Sequence, residues 1–478
     1  MTLEEKAGLF FHTMITMGAD GALSDGDPAF GIPSTDEFVV NREMNHFNLF
    51  GTAADAATMA SWHNRLQELA ASTRLGIPVT ISTDPRHAFS DNPLAAIMAG
   101  PFSQWPEQMG LAAIGDEAVV EQFGDIARQE YAAVGIRVAL HPQIDLASEP
   151  RWCRQIATFG SDADLTSRLG AAYIRGFQGG RLGRESVATM TKHFPGGGPQ
   201  LNGEDPHFAY GPEQVYPGGQ FELHLKPFEA AFEAGTSQIM PYYGMPVGTE
   251  YEEVGFAFNK GVITGILRER YGYDGIVCTD WGLISDAEIM GQPFPARAWG
   301  VEDLSPAERM AKILDAGCDQ FGGEAIPGLL VELVRSGRIT EERLDVSARR
   351  LLREKFVLGL FDCPFVDVDA AGAIAGKPEF VAAGEAAQRA SITVLTNGAS
   401  GAATLPLARG RRVYLEGSGA EVLENYATVV DSPEDADVAI VRIGAPYEQR
   451  GTMFENFFHA GSLELPEAQV DHLLELAA

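Results

Sequence analysis

The chain has 478 residues, too many for one ordinary core, so two domains are expected. Hydrophobic residues make up 45% and charged residues 21%, the profile of a soluble globular protein. A formal net charge of −31 excludes a nucleic-acid partner, whose phosphates need a basic surface, and makes an anionic polymer a poor ligand.

No apolar run reaches the roughly 18 residues of a membrane span, so no membrane partner is expected. The start, MTLEEKAGLF, lacks the basic and apolar regions of a secretory signal. Cytoplasmic residence is therefore the expectation, with secretion the alternative if a leader has been trimmed. The four cysteines, Cys153, Cys278, Cys318 and Cys363, make no CxxC pair and read as buried free thiols.

Between about residues 75 and 325 one pattern recurs. A short apolar run ends in a polar residue, a loop follows, and an amphipathic helix comes next. The runs are IPVTISTD (77–84), GIRVALHPQID (135–145), SVATMTKHF (186–194), QIMPYY (238–243), DGIVCTD (274–280) and AGCDQFGG (316–323). Helical segments between them include 117–135, 164–179, 222–235 and 259–272. Apolar strands alternating with helices indicate a parallel sheet covered on both faces. Six such units, with room for others before 75 and after 325, suit an α/β fold of the (β/α)8 TIM-barrel type. The polar residues that close the runs, Asp84, His141, Lys192, His193, Tyr243 and Asp280, would then share one cleft.

The barrel is expected over residues 1–362, ending in a helix over 339–361. A turn-rich linker and connecting helix cover 363–385, and a partial α/β sandwich domain covers 386–478. Within that domain the patterns predict a helix at 378–390, strands at 392–396, 411–417 and 436–443, and a closing helix with no strand after it. So few strands make a poor independent core, so a truncated second domain is expected.

VCTDWG (277–282) puts a carboxylate at a strand end with an aromatic ring beside it. Asp280 can attack an anomeric carbon while Trp281 stacks on a sugar face, or it can simply cap the next helix. In KHFPGGG (192–198) Lys192 and His193 can donate to hydroxyls, and the glycines let backbone approach a ligand; the phosphate-loop spacings are not met. EDPHF (204–208) supplies Asp205 and His207, an acid–His pair for proton transfer or a surface turn. STDPRH (82–87) sets Asp84 at a strand end, with Arg86 and His87 beside it, where it suits two vicinal hydroxyls. ASEPRWCR (147–154) brings Arg151 and Arg154 near the same rim. His141, His193 and His207 have no metal-ligand spacing, so no metal and no cofactor is expected.

Taken in order, TDPRH, EPRWCR, KHFPGGG, DPHF, IMPYY and CTDWG resemble the signature of family 3 glycoside hydrolases. MTLEEKAGLF and MNHFNLFG (44–51) are similar to that family's opening and early barrel. The resemblance implies a barrel followed by an α/β sandwich and retaining hydrolysis of β-linked sugars through a covalent glycosyl-enzyme. It makes Asp280 the nucleophile. Asp84, Arg154, Lys192, His193 and Tyr243 match positions that hold the nonreducing terminal sugar, and Trp281 the adjoining platform. The substrate expected is a β-linked oligosaccharide or an aryl or alkyl glycoside, most simply a β-glucoside; an oligomer is compatible with all of this.

In two-domain relatives the acid/base is a second-domain Glu, often after a Pro-Tyr pair. Here Glu448 follows Pro446-Tyr447, one residue closer than the commoner spacing, or it is a surface loop residue; Glu455 is the reserve. The competing assignment is the Asp-Ser/Thr-His dyad of single-domain β-N-acetylglucosaminidases, which Asp205-Pro206-His207 resembles. The chain departs from that dyad: Pro206 replaces Ser/Thr, Gly197 stands where a His is usual, and the loop is two residues longer. A non-catalytic sugar-binding barrel is the reading from another class, and a lyase or phosphate-using barrel is disfavoured.

Overall fold

The structure, a computed structural model, describes every residue except 52–53, 85–86, 89–95, 290, 399–402, 453 and 459–460. It divides into two compact units, Met1–Ser391 and Ile392–Ala478.

In the first unit eight strands close a barrel: β1 (Phe11–Ile15), β2 (His46–Leu49), β3 (Thr80–Thr83), β4 (Ile136–Ala139), β5 (Ala188–Phe194), β6 (Gln238–Pro241), β7 (Ile276–Trp281) and β8 (Gln320–Gly322). Each pairs in parallel with its neighbours in chain order, and β8 closes on β1. The six runs read from the sequence are β3 to β8. Both remaining strands precede residue 75, and among the described residues the stretch from 326 to 391 contributes helices only. Buried Val138, Ala188, Met190, Met240 and Cys278 pack together within the barrel.

Helices around the barrel begin where short polar side chains stop the backbone. Asp116 caps Glu117–Ala133, Asp162 caps Ala163–Gln178, and Thr340 caps Glu341–Val357. The last of these helices seals the amino-terminal end of the barrel. Its buried Lys355 donates to the carbonyls of Asn45 and Pro78 and to Thr80 Oγ1, at 2.7–3.0 Å. Glu354 accepts from Gln238 Nε2 at 2.6 Å. Asp319, ahead of β8, accepts from Arg268, Arg350, Ser347 and the Val277 N–H, at 2.5–3.0 Å. That one carboxylate thus gathers two guanidinium groups, a hydroxyl and a backbone N–H.

The segment expected as linker is instead packed on the barrel unit. Asn64 exchanges two 2.9 Å hydrogen bonds with Val366, and the Gly376 N–H donates to Glu130 at 2.7 Å. Ala371, Phe380 and Ala387 are buried. Apolar and hydrogen-bonded contacts thus carry the first unit to Ser391, past both the expected barrel end at 362 and the expected domain start at 386. Two cysteines also depart from expectation: Cys153 is half-buried and Cys363 exposed, while Cys278 and Cys318 are buried; all four are free thiols.

The second unit holds a three-stranded parallel sheet, with β9 (Arg412–Glu416) between β10 (Thr428–Val430) and β11 (Val438–Val441). The helix Glu467–Ala477 sets His472 Nε2 2.9 Å from Glu416. Val413 alone among this unit's described residues is fully buried. The strand expected at 392–396 does not form. Asn397 instead accepts from the N–H groups of Thr404 and Leu405, both at 2.8 Å, which shapes a loop and leaves Ile392, Val394 and Leu395 exposed.

Replacing Asp319 by Ala removes the only carboxylate paired with Arg268 among the described residues and one of the two paired with Arg350. A loss of about 3–5 kcal/mol is expected, read as a fall of several degrees in Tm by thermal unfolding followed by circular dichroism.

Candidate active site

The carboxyl ends of the strands gather the residues singled out along the chain. Asp84 directly follows β3; its Oδ1 accepts from Lys192 Nζ at 2.7 Å and lies 2.7 Å from His141 Nδ1. Three strands, β3, β4 and β5, thus meet at one carboxylate. Burial and the nearby Arg154 pull the Lys192 ammonium below its ordinary pKa against the opposing pull of Asp84.

His193, next along β5, is fully buried. Its Nε2 lies 3.0 Å from Arg154 Nη2, and its Nδ1 lies 2.7 Å from Asp145 Oδ2. A guanidinium can only donate, so Nε2 must accept, and the ring proton sits on Nδ1, facing Asp145. Burial followed by the Arg154 charge pushes the His193 pKa well below its usual value, in keeping with that neutral tautomer. Asp145 Oδ1 also accepts the backbone N–H groups of His193 and Gly197. A side chain on Gly197 would run into that carboxylate and the Tyr242 ring, so this loop position requires glycine.

Asp280 ends β7, and its Oδ1 accepts the Trp281 N–H at 2.9 Å. Oδ2 is buried 3.7 Å from His193 Nε2 and meets no hydrogen-bond partner among the described residues. Lys192 and Arg154 both lie within electrostatic reach of it. Tyr243, at the end of β6, donates to the Trp281 carbonyl at 2.8 Å and receives its N–H at 2.9 Å, which fixes the backbone beside Asp280. The Trp281 ring lies 5.4 Å from the His12 ring, and Gly322 and Gly323 make room for it: added Cβ atoms would approach it to 2.7 and 2.8 Å.

Around Asp280 several polar atoms stand buried without partners among the described residues: Arg154 Nη1, Trp281 Nε1, the Tyr242 hydroxyl and Arg297 Nε. Buried polar groups are nearly always satisfied, so such a concentration at one barrel mouth marks a ligand site.

Asp205 and His207 belong to the same mouth. His207 Nδ1 lies 2.5 Å from Asp205 Oδ1, Trp152 Nε1 donates to Asp205 Oδ2 at 3.2 Å, and the His207 ring stands edge-on to Tyr243 at 4.6 Å. Burial opposes ionisation of Asp205, yet the facing His207 and Arg154 bring its pKa down to about 2. For His207 burial prevails over Asp205, and its pKa falls below the ordinary value.

Other expected residues turn away. Arg151 pairs with Glu149 at 2.8 Å on the rim. His87 packs at 4.6 Å from the Tyr131 ring, with Nε2 3.0 Å from Glu130, and Arg86 lies outside the described residues. Glu448 and Glu455 belong to the second unit. Glu448 is 63% exposed in its side chain and accepts from Arg450 at 3.2 Å; Glu455 accepts from Thr452 Oγ1 at 2.9 Å.

Three residues of the mouth were not singled out from the sequence: Asp145, Arg297 and Glu324. Asp145 closes the run 135–145 and could have been found as a strand-end carboxylate. Arg297 and Glu324 lie on loops after β7 and β8 with no spacing signal. Glu324 accepts the N–H groups of Ile284 and Ser285 at 2.8 and 3.0 Å, anchoring the segment that leaves β7. Burial raises its pKa to about 7.

A carboxyl raised in the folded state favours folding below its unfolded pKa, and that benefit is lost as pH rises through the folded value. Glu324→Gln keeps the acceptor without the titration. The Tm of the unsubstituted chain minus that of the Gln variant is therefore expected to fall between pH 5 and pH 8 in thermal melts.

Comparison with known proteins follows the same geometry. Residues 35–354 match the family described as "Glycosyl hydrolase family 3 N terminal domain". The chain is 55% identical over 471 residues to "Probable beta-glucosidase C" of Aspergillus flavus, covering 98% of the chain and 74% of the relative. It is 40% identical to "Periplasmic beta-glucosidase/beta-xylosidase" of Dickeya chrysanthemi, covering 99% and 74%. Among solved structures, a β-glucosidase from Erythrobacter marinus superposes with a TM-score of 0.70 at 26% identity, over 87% of this chain and 51% of that one. Among the described residues no helix is long and apolar enough to cross a membrane. From strand order, mouth and sequence together, the chain belongs to glycosyl hydrolase family 3.

Proposed function

We propose that the chain carries out exo-acting, retaining hydrolysis of β-glucosides, releasing the nonreducing terminal sugar by double displacement. The observation that carries this reading is the unbonded, buried Oδ2 of Asp280, standing at the end of β7 between cations and unpaired donors. The β-glucosidase names borne by relatives of 54–55% identity support glucose as the sugar. The paired name of the Dickeya chrysanthemi relative supports xylosides as a second substrate.

In the first step Asp280 Oδ2 attacks C1. The C1–oxygen bond to the leaving group breaks, and Glu448 gives its proton to the departing oxygen. In the second step Glu448 takes a proton from water, whose oxygen displaces Asp280 from C1. A retaining pair works at about 5–5.5 Å. Asp84 would accept from two hydroxyls of the bound ring, while Lys192 and Arg154 donate to it. His193 would act chiefly by aiming Arg154, since its own nitrogens are engaged. Trp281 would supply the platform, held in place by Tyr243.

The hydrogen-bonded Asp205–His207 pair favours a second reading, in which His207 replaces Glu448 and the sugar is N-acetylglucosamine. Its lowered pKa leaves the imidazole neutral at rest, better suited to taking a proton than giving one. Glu455 stands in reserve should Glu448 prove dispensable.

A 2-deoxy-2-fluoro-β-glucoside is expected to label Asp280, as read by peptide mass spectrometry; label on any other residue rejects the nucleophile. In Glu448→Ala, azide is expected to restore turnover of aryl glucosides with good leaving groups, and failure of rescue moves the role to His207 or Glu455. A panel of aryl glucosides, xylosides and N-acetylglucosaminides ranks the sugars, and inertness toward all of them would favour a non-catalytic barrel. Asp145→Asn removes the charged acceptor of His193 without changing its shape. About a 10–100-fold loss in kcat/KM is expected, the scale of one buried polar group left unsatisfied.

A further inference from the structure

Arg297 lies beyond the short hairpin formed by Ala287–Ile289 and Gln292–Phe294, on the excursion between β7 and β8. Its backbone N–H donates to the Gly282 carbonyl at 2.9 Å, which holds it beside the chain leaving Asp280. The residue is only 5% exposed. One face of its guanidinium is covered by Phe294, with 3.5 Å from Cζ to the ring centroid, and the Tyr243 ring lies 5.8 Å away. Gly282 leaves the approach open, since a Cβ there would come within 2.8 Å of Nη1.

Among the described residues the Arg297 side chain makes no hydrogen bond and no ion pair, and its Nε is wholly buried. A buried guanidinium without acceptors is costly, and nothing about the fold of the loop requires one. Its charge is not what lacks a counterpart, because the carboxylates of Asp280, Glu324 and Asp205 all lie within electrostatic reach. What it lacks is acceptor atoms in the plane of its N–H groups, the only direction left once a ring covers its face. A further anion would crowd the Asp280 and Asp205 carboxylates, so neutral oxygens on a bound molecule fit best. A pair of ring hydroxyls matches the spacing of the fork.

The mouth also has two sides. Lys192 and His141 hold Asp84 across β3, β4 and β5, whereas Arg297 is fastened to Gly282 just past β7 and lies against the Tyr243 ring. Asp280, at the end of β7, thus stands between the Asp84–Lys192 grip and Arg297 along the barrel rim. We propose that Arg297 is a specificity-determining residue that hydrogen-bonds the hydroxyls of the departing sugar, selecting β-linked glucose disaccharides over flat aryl glucosides. This rests on the reading of Asp280 as nucleophile and of Asp84 and Lys192 as the grip on the sugar it attacks.

The test compares the unsubstituted chain with Arg297→Met and Arg297→Lys on cellobiose, laminaribiose, 4-nitrophenyl β-glucoside and 4-carboxyphenyl β-glucoside. The disaccharide-to-nitrophenyl ratio of kcat/KM is expected to fall about tenfold or more in the Met variant and less in the Lys variant, the size of one or two lost hydrogen bonds. An unchanged or raised ratio in both variants overturns the proposal. So does a loss confined to the carboxyphenyl substrate, which would make the site one for anions. If the Met variant does not fold, as judged by Tm, the Lys variant decides on the same ratio. Inertness of the unsubstituted chain toward every glucoside would instead sink the activity reading itself, a result distinct from any change in ratio.

Discussion

One buried carboxylate organises the mouth of this barrel. Asp145 receives three donors at once: the His193 backbone N–H, the His193 ring and the Gly197 N–H. These contacts tie the chain after β4 to the end of β5 and to the glycine loop beyond it. They also settle the His193 tautomer, because a ring that donates to Asp145 must accept from Arg154. Arg154 in turn stands over Tyr242, 5.7 Å from its ring, with one nitrogen unbonded. Remove the carboxylate, and the aim of His193, and of Arg154 through it, loses its reference.

Buried polar groups gather at both ends of the barrel, but they are satisfied to different degrees. At the floor, Lys355 has three acceptors, and Asp319 has four donors. At the mouth, Asp280 Oδ2, Trp281 Nε1, Arg154 Nη1 and Arg297 Nε have none among the described residues. The floor also has unpartnered atoms among the described residues, Asn45 Oδ1, Gln238 Oε1 and Arg268 Nε, but each belongs to a side chain bonded elsewhere. Among the same residues the Trp281 and Arg297 side chains make no hydrogen bond at all. Satisfied polar groups rigidify a structure, whereas unsatisfied ones hold interaction energy that a ligand of the right shape can release.

Much of this was legible in the sequence because strand-end chemistry has a local signature. Asp84, Lys192, His193, Tyr243 and Asp280 each close an apolar run, and a parallel barrel sends every such run to one rim. The order of these motifs identified the family. What could not be read depended on long-range partners. Arg297 and Glu324 sit on loops whose course is set by contacts with Gly282, Ile284 and Ser285 rather than by periodicity. The region after 362 looked like a linker because its turns are local, while the contacts that dock it, with Asn64, Gln104 and Glu130, come from hundreds of residues away. The strand expected at 392–396 shows the converse: β-branched residues favour extension, but a strand needs a neighbour, and Asn397 turns the chain first.

The sealing of the floor by Glu341–Val357 also bears on how the molecule is made. A ribosome delivers β1 to β8 before it delivers Lys355 and Glu354, yet those two side chains stitch together segments near β2, β3 and β6. During synthesis the eight strands must therefore wait, with their amino-terminal ends uncovered, for a helix encoded after all of them. That interval is when exposed apolar surface is most prone to wrong pairing, and it lends the late helix a share in guiding assembly as well as in finishing it.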